Sequence, residues 1–208
     1  MKRNSSLRVL AIIALICLAF GLGHVVAAGE WKVEVVSGDR STVLTGADAA
    51  AMKAHTMKAA FLRSTGRIDG PSAYTVIPMD AILAQVGGIN PEQAIRVTAR
   101  DGYQMVYSFA QVNGGVFTYD DKGNTLRVGG ASMLLAFESE RDAADKLPRI
   151  IYGRPDGVGI TDGHFWAKAV AKIEVIKGVE DWQISLSGSE KVWLDRATFE
   201  SIVTCPVT

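Results

Sequence analysis

The sequence predicts an α+β protein that is mainly β, with a mixed sheet and short helices. Short segments in which polar and apolar residues alternate recur along the chain, and Gly-rich turns separate them at intervals of roughly ten residues. Helical patterns are few. Roughly 180 residues follow a signal-like segment, which is enough for one hydrophobic core without disulfides or structural metals.

The first 28 residues have the order of a secretory signal. Lys2, Arg3 and Arg8 precede an apolar run over residues 9–23, and small residues end at Ala28. The apolar run is shorter than the roughly 20 residues of a membrane helix. We therefore expect cleavage after Ala28 and export to the periplasm, the cell surface or the medium. A membrane tether would follow only if this segment stays uncleaved.

Charge and metal-ligating residues exclude several classes of function. The mature chain would carry 19 Lys plus Arg against 22 Asp plus Glu, a net charge of −3. A weakly acidic protein without basic runs is not expected to bind nucleic acid. Cys205 would be its one cysteine, so a disulfide within the mature chain is excluded. Its two histidines, His55 and His164, are too few for a multi-histidine metal site, and we expect no metal site.

The mature chain opens with an alternating segment over residues 31–38 (WKVEVVSG), which predicts a strand. Thr45 and Asp48 then have the spacing of a helix N-cap pair. The Ala-rich sequence that follows predicts a helix through about Lys58. His55 would lie near the end of this helix, where its imidazole suits the helix dipole.

The next segments predict an irregular stretch and a second helix. Residues 61–76 are broken by Gly and Ser, so we expect a loop or an irregular strand. Pro78 opens a short helix, PMDAILAQ, that ends at Gly87 and Gly88. Beyond residue 115, further short strands are predicted over residues 116–119, 131–137, 148–153 and 169–176.

Residues 96–109 (RVTARDGYQMVYSF) predict a β-hairpin. The pair Asp101–Gly102 lies between two alternating arms and suits a tight two-residue turn. Asp101 is therefore interpreted as a turn residue rather than a catalytic base. We expect Tyr103, Tyr107 and Phe109 to pack on one face of the sheet.

The C-terminal segment repeats the pattern of the domain start. Residues 182–188 (WQISLSG) echo WKVEVVSG, and the spacing from Gly188 to Asp195 equals that from Gly38 to Thr45. A repeat at domain spacing indicates duplication, and the second copy is partial. We divide the chain into a signal segment, a domain and a partial repeat, over residues 1–28, 29–178 and 179–208.

Taken in order, these segments resemble the oxidoreductase molybdopterin-binding fold of sulfite oxidases and their relatives. The similar pieces cover roughly residues 31–177. They are the opening Trp-x-Val-x-Val-x-x-Gly, the capped helix, PMDAILAQVGG, the ARDGY hairpin and the closing AKIEVI. The resemblance implies that family's fold, and molybdopterin is the one cofactor that it leaves open.

The resemblance also shows what this chain lacks. Catalytic members hold molybdenum through one cysteine thiolate, which is a soft ligand suited to that metal. The resemblance places that cysteine near AAFLRSTGRIDG, where the chain has Ser64 and Thr65 and no cysteine. The Trp-x-Gly turn that usually precedes the family's short helix is also absent. We therefore expect a divergent member without catalytic residues.

Basic residues near glycines suggest a site for an anion. Arg154 lies in GRPDGVGITDG, Arg127 lies in LRVGG, and Arg63 and Arg67 flank the loop without cysteine. Glycine lets backbone N–H groups approach an anion, and the Arg fork binds phosphate or carboxylate. In the resembled family the corresponding loops help to hold the pterin.

His164 adds a titratable group to this set. Asp162 precedes it by two residues, so in a strand the two would share a face and could bind a cation or orient a proton transfer. We expect the ligand, an anionic small molecule, to contact Arg63, Arg67, Arg127, Arg154 and His164.

Three functions stay open at this point. The first is an exported, non-catalytic binding or accessory module for a small anion or a protein partner. The second is a molybdopterin-dependent oxidoreductase with an oxygen ligand from Ser64 or Thr65, although Lys2 and Arg3 lack the twin-arginine pair of such exported enzymes. The third is a surface protein in which Cys205 forms an intermolecular disulfide.

Overall fold

A computed structural model describes residues 31–188, 191–196 and 199. The predicted signal segment, Cys205 and most of the partial repeat beyond Asp195 lie outside the described residues. Within the described part, no helix has the length and apolar character needed to cross a membrane. The observed architecture is mainly β with mixed sheets and a few short helices, as the sequence predicts.

The first sheet has five strands in the order β2-β1-β12-β5-β6. β1 and β12 are parallel, and the other neighbours are antiparallel. The alternation seen in the sequence explains the register, since Val33 and Val35 are buried while Lys32 and Glu34 are exposed. Its strands are β1 (Lys32–Ser37), β2 (Arg40–Thr45), β5 (Gln93–Ala99), β6 (Gln104–Ser108) and β12 (Val170–Lys177).

The second sheet has seven strands in the order β10-β9-β4-β3-β11-β7-β8. β3 and β11 are parallel, and the other pairs are antiparallel. β10 also lies against β3, so the sheet curls around its interior. Its strands are β3 (His55–Leu62), β4 (Ile68–Pro78), β7 (Phe117–Tyr119), β8 (Thr125–Val128), β9 (Ser132–Ser139), β10 (Arg149–Gly153) and β11 (Gly159–Asp162).

The helices are short. The described α-helices are α1 (Gly46–Ala49), α2 (Met79–Ala84) and α3 (Phe109–Val112). Three 3-10 turns cover Ala50–Met52, Ala144–Lys146 and Gly163–Phe165. The second predicted helix is confirmed as α2. It follows Pro78, and its end is fixed where the amide of Gly88 donates to the carbonyl of Leu83.

The first predicted helix is mostly wrong. The cap pair is correct, because the amide and hydroxyl of Thr45 both donate to Asp48, at 2.8 and 2.7 Å. The helical segment nevertheless ends at Met52. His55 therefore begins strand β3, three residues beyond the end of the 3-10 turn. Pairing of β3 with β4 and β11 outweighs the helix propensity of its alanines.

The β5–β6 hairpin is confirmed, but its turn differs from the prediction. The turn has three residues instead of two, because the last hydrogen bond between the strands runs from the amide of Ala99 to the carbonyl of Tyr103. Gly102 has a φ of 87°, and the Asp101 carboxylate accepts from the Tyr103 amide at 3.0 Å, which makes Asp101 a turn residue. Tyr107 is fully buried, whereas Tyr103 is exposed.

The predicted common face of Tyr103, Tyr107 and Phe109 is therefore wrong. β6 ends at Ser108, whose hydroxyl accepts from the amide of Gln111 at 3.2 Å and so caps α3. Phe109 is the first residue of that helix. The capping box at Ser108 begins helix α3, so the strand ends one residue before the alternating sequence pattern does.

One cluster of buried apolar residues joins the two large sheets. Val97 and Ile173 come from the first sheet, and Leu135 and Ile151 come from the second. The buried hydroxyl of Tyr107 also donates to the carbonyl of Phe165 at 2.7 Å. This bond ties the first sheet to the turn that follows β11.

The C-terminal segment forms a separate antiparallel hairpin of β13 (Gln183–Ser187) and β14 (Lys191–Asp195). β1 and β2 are paired in the same antiparallel way. Side chains attach the C-terminal segment to the first sheet, since Arg196 donates to the carbonyl of Val106 at 3.2 Å and Ser108 donates to Asp181. Asp195, at the end of β14, is buried.

Candidate functional site

A cavity of about 610 Å³ opens at one end of the seven-stranded sheet. Its walls come from the end of β3 and the loop after it, from β7, from the loop between β9 and β10, and from the end of β11. We call it the cationic cavity. Five lining residues are cationic: Arg63, Arg141, Lys146, Arg149 and Lys168. Three carry carboxylates: Asp142, Asp162 and Asp195.

Arg149 forms the buried wall of the cationic cavity. Its side chain is only 2% exposed, and its guanidinium donates to Asp142 at 2.6 Å and to the carbonyl of Trp166 at 3.2 Å. The guanidinium also lies over two rings, 5.1 Å from the centroid of Trp166 and 5.7 Å from that of Phe61. Its Nε has no hydrogen-bond partner. A buried N–H group without a partner costs free energy.

A buried carboxylate holds two of the cavity arginines in place. Asp69 is 2% exposed and bridges three guanidinium groups, pairing with Arg63, with Arg141 at 2.8 Å and with Arg67 at 3.1 Å. Burial alone would raise the pKa of Asp69, but hydrogen bonds from Arg141 and Arg63 hold it below its usual value. Asp69 is therefore ionised at neutral pH and positions Arg63 and Arg141 at the cavity wall.

The pKa of Lys168 reflects the positive potential of this region. Its pKa is lowered by burial, and the like charges of Arg149 and Lys146 lower it further. Arg141 also lies within 5.0 Å of the ring centroid of Phe61, beside Arg149. Crowded cations of this kind are stabilised when an anion binds between them.

An acidic corner occupies the other side of the cavity. The hydroxyl of Tyr119 donates to Asp162 at 2.8 Å. Burial raises the pKa of Asp162 to about 6, and the nearby charge of Asp195 adds to the rise. Burial lowers the pKa of His164, while Asp195 acts in the opposite direction. Asp162 and His164 therefore line one cavity, although His164 lies in the 3-10 turn after β11 and not in the strand.

The structure does not bring the five residues expected to bind the anion together at one site. Arg63 and His164 line the cationic cavity. Arg67 pairs with the same Asp69 as Arg63, but its side chain is 73% exposed and outside the lining. The structure therefore brings two of the five into the cavity and places a third beside it.

Arg127 and Arg154 lie elsewhere. The guanidinium of Arg154 makes a two-pronged contact with Asp156, at 2.8 and 2.6 Å. The bond from Arg154 is the main cause of the lowered pKa of Asp156, and Arg127 contributes a smaller share. These two arginines therefore neutralise an exposed carboxylate and do not line the cationic cavity.

Sequence reasoning missed most of the cavity's cations. Four of the five were not singled out: Arg141, Lys146, Arg149 and Lys168. Three of them come from one segment, RDAADKLPR, which has no glycine and matches no motif. Its one local signal is a density of charge immediately before the apolar strand β10.

Ser64 and Thr65 also line the cationic cavity. The resemblance places the metal-binding cysteine at this point, so the residues present can be compared with that role. Hydroxyl oxygens are hard ligands and do not replace a soft thiolate. In the described part of the chain, no three His, Cys, Asp or Glu side chains come together as a metal site. The donor set fits the anionic part of a ligand and does not fit the thiolate-bound metal.

Comparison with known proteins assigns no family. No protein-family model matches the chain, and no curated protein matches it. The class of protein is thus defined by the fold and the cavity: a mainly β domain with a cation-rich cavity at one end of its larger sheet.

Proposed function

We propose that this protein is an exported, non-catalytic module that binds a small anion in the cationic cavity. The observation that carries the proposal is the charge of the cavity lining, whose buried wall is Arg149. Five cations face three carboxylates there, so the lining carries an excess of positive charge even when all three are ionised. An oxyanion would neutralise that excess.

The chemical class of the ligand follows from the donors. Arginine forks match planar carboxylates and tetrahedral phosphate or sulfate groups. Lys146 and Lys168 add point charges that suit either kind of anion. Phe61, Phe117 and Tyr119 also line the cavity. The cavity therefore has room for an apolar part of the ligand beside its charged group.

The finer fold assignment belongs to this proposal. We take the domain to have the sulfite oxidase molybdopterin-binding type of fold. This is supported by three of the similar segments meeting in one sheet: WKVEVVSG contains β1, AKIEVI lies in β12, and the ARDGY hairpin joins β5 to β6. β12 lies between β1 and β5, so the beginning, middle and end of the similar region are hydrogen-bonded neighbours.

Calorimetric titration in a low-chloride buffer tests the binding function. The titrants are sodium sulfate, sodium phosphate and sodium citrate, which present the two anion geometries. We expect one site per chain for at least one of these anions. Lys168→Gln should weaken binding about tenfold, because it removes one exposed cation of the lining without disturbing the core. Arg149→Gln should weaken it more.

Arg154→Gln is the matched control, since it removes one cation outside the cavity. Its affinity should equal that of the parent protein. Absence of binding for all three anions would overturn the proposal. Equal weakening by Lys168→Gln and Arg154→Gln would also overturn it, because binding would then reflect net charge alone.

A second function is favoured by the position of Ser64 and Thr65 in the cavity wall, where the resemblance places the metal ligand. In this reading the protein is a molybdopterin-dependent oxidoreductase, and the cavity cations would hold the anionic part of the cofactor. Elemental mass spectrometry of protein from its native host separates the two. Near one molybdenum per chain supports the oxidoreductase, and its absence from native protein that still binds simple anions supports the binding module.

A further inference from the structure

The C-terminal hairpin exposes a row of apolar side chains. Within the described residues, β13 pairs with β14 alone. Ile184 and Leu186 lie two residues apart in β13, so their side chains leave the same face of the strand. They are 47% and 53% exposed. A two-stranded hairpin is only marginally stable by itself in water, and it gains stability from further strands or from packing against another element.

The start of the domain shows how the equivalent strand is covered. Counted from the tryptophans of WKVEVVSG and WQISLSG, Ile184 corresponds to Val33. Leu186 likewise corresponds to Val35. Both valines are fully buried, and their strand β1 pairs with β2 on one edge and with β12 on the other. In β13 the described residues supply a counterpart of β2, which is β14, and none of β12.

We propose that β13 pairs with β13 of a second copy of this chain, so that two hairpins form one four-stranded sheet in a twofold-symmetric dimer. A twofold axis brings identical strands together in antiparallel orientation. The second copy of β13 would then occupy the edge that β12 occupies on β1. The inference is independent of the proposed anion binding, because no residue of β13 lines the cationic cavity.

The sequence of β13 suits pairing with itself. With Ser185 on the twofold axis, Ile184 of one copy lies opposite Leu186 of the other, and this apolar cross-strand pair occurs twice. Edge strands that avoid pairing carry charged side chains or proline. The edge strands of the two large sheets include Arg40 in β2 and Arg127 in β8. β13 (QISLS) has neither a charge nor a proline, so two copies of it do not repel each other.

The base of the hairpin is fixed to the domain while β13 projects from it. The buried Arg196 donates to the carbonyl of Val106 at 3.2 Å, and Ser108 donates to Asp181. Residues 184–188 are all exposed, on both faces of the strand. The domain therefore positions β13 without covering it, and a second copy can reach its edge.

Sedimentation equilibrium measures the proposed dimer. Five strand residues from each copy form a small interface, so we expect micromolar affinity. The full chain, in the form that the cell leaves after any processing, is studied from about 1 to about 100 µM. A reducing buffer removes any disulfide through Cys205. We expect a reversible monomer–dimer equilibrium.

Ser185→Lys should weaken dimerisation at least tenfold, because two lysines would lie directly opposite each other at the axis. Ser185 is exposed, so the variant keeps the fold. An equimolar mixture of Ser185→Lys and Ser185→Glu should recover the affinity of the parent, since opposite charges then face each other.

Ser41→Lys is the matched control, because Ser41 is an exposed serine in the edge strand β2 of the first sheet. Its dimer affinity should equal that of the parent. A parent that stays monomeric up to about 100 µM would leave the edge of β13 to a different partner and overturn the proposal. Dimerisation of Ser185→Lys as tight as that of the parent would also overturn it. A mixture that associates no more tightly than Ser185→Lys alone would overturn the symmetric pairing of β13.

Discussion

The two ends of strand β3 differ in chemistry although they belong to one continuous strand of the curled sheet. Its end, at Phe61 and Leu62, lies in a cavity lined by five cations. Its start, at His55 and Met57, lies in a cavity lined by two methionines and one histidine. Eight residues at about 3.3 Å per residue separate the two ends by roughly 23 Å.

β10 shows the same contrast over a shorter distance. Its first residue, Arg149, is the buried cation of one cavity, and its last residue, Gly153, supports Met57 in the other. The residues between them, Ile150 to Tyr152, are fully buried. The apolar middle of the sheet therefore separates the two cavities, which have no lining residue in common, and a change of side chain in one cavity should leave the lining of the other unaltered.

Arg149→Met should produce the largest effect of any single change at the cationic end. It removes the hydrogen-bonded partner of Asp142, whose side chain is 7% exposed, and leaves that buried carboxylate without a direct ion pair. Breaking a buried pair in this way costs about 3–5 kcal/mol. Urea unfolding at pH 7 measures the loss, and anion titration should show that binding is abolished.

The double variant Arg149→Met with Asp142→Asn should recover much of that stability, because no unpaired charge remains. Arg154→Met breaks the more exposed pair with Asp156 and should change the free energy of unfolding much less. Similar losses in Arg149→Met and Arg154→Met would show that the buried pair has no special role, and the contrast between the two ends would weaken.

Asp162→Asn should act in the opposite direction and stabilise the protein. Burial raises the pKa of Asp162 to about 6, well above the ordinary value of an aspartate, so ionisation opposes folding. The penalty is absent below pH 4, grows as pH rises from 4 to 6, and is constant above pH 6. The variant should therefore gain up to about 3 kcal/mol above pH 6 and nothing below pH 4.

The same variant tests whether the charge of Asp162 controls anion binding in the cavity. In the parent protein, anion affinity should rise as pH falls through 6, because Asp162 then loses its charge. Asp195, His164 and Tyr119 face the same corner, and protonation of His164 at lower pH acts in the same direction. Calorimetric titrations at pH 5.5 and 7.5 should show a smaller pH effect in Asp162→Asn. An unchanged pH effect would assign it to another group.

Much of the fold follows from local patterns in the sequence. The alternation in WKVEVVSG, the Asp101–Gly102 turn and the Pro-to-Gly span of α2 each depend on neighbouring residues only. Local patterns do not predict the secondary structure of the segment after Met52. HTMKAAFL has good helix formers, and it is a strand because β4 and β11 pair with it from distant positions in the chain.

The candidate site was less predictable than the fold. Arg63 and His164 were singled out because glycines or a titratable neighbour lie beside them. Arg149 was not, because it begins an apolar strand, and its burial depends on Phe61 and Trp166 packing over it. Convergence of charges from several loops is a property of the tertiary structure, and no local motif encodes it.

Tyr107→Phe should have an intermediate effect. The buried hydroxyl donates to the carbonyl of Phe165 at 2.7 Å, and its removal leaves that acceptor unsatisfied. We expect a loss of about 2 kcal/mol in the free energy of unfolding. Because Phe165 follows His164, the variant should also weaken anion binding modestly. A stability equal to that of the parent in urea unfolding would contradict the first part.

Met57→Leu should have the smallest effect on stability and gives the sharpest test of separation between the two ends. Leucine keeps the volume and the apolar contacts over Gly153, so the loss should be no more than about 1 kcal/mol. Anion affinity should equal that of the parent, because the lining of the cationic cavity is unchanged. Calorimetric titration of Met57→Leu with the anion that binds the parent measures this directly. A change in anion affinity would show that strain passes along β3, and the two cavities would then be one coupled site.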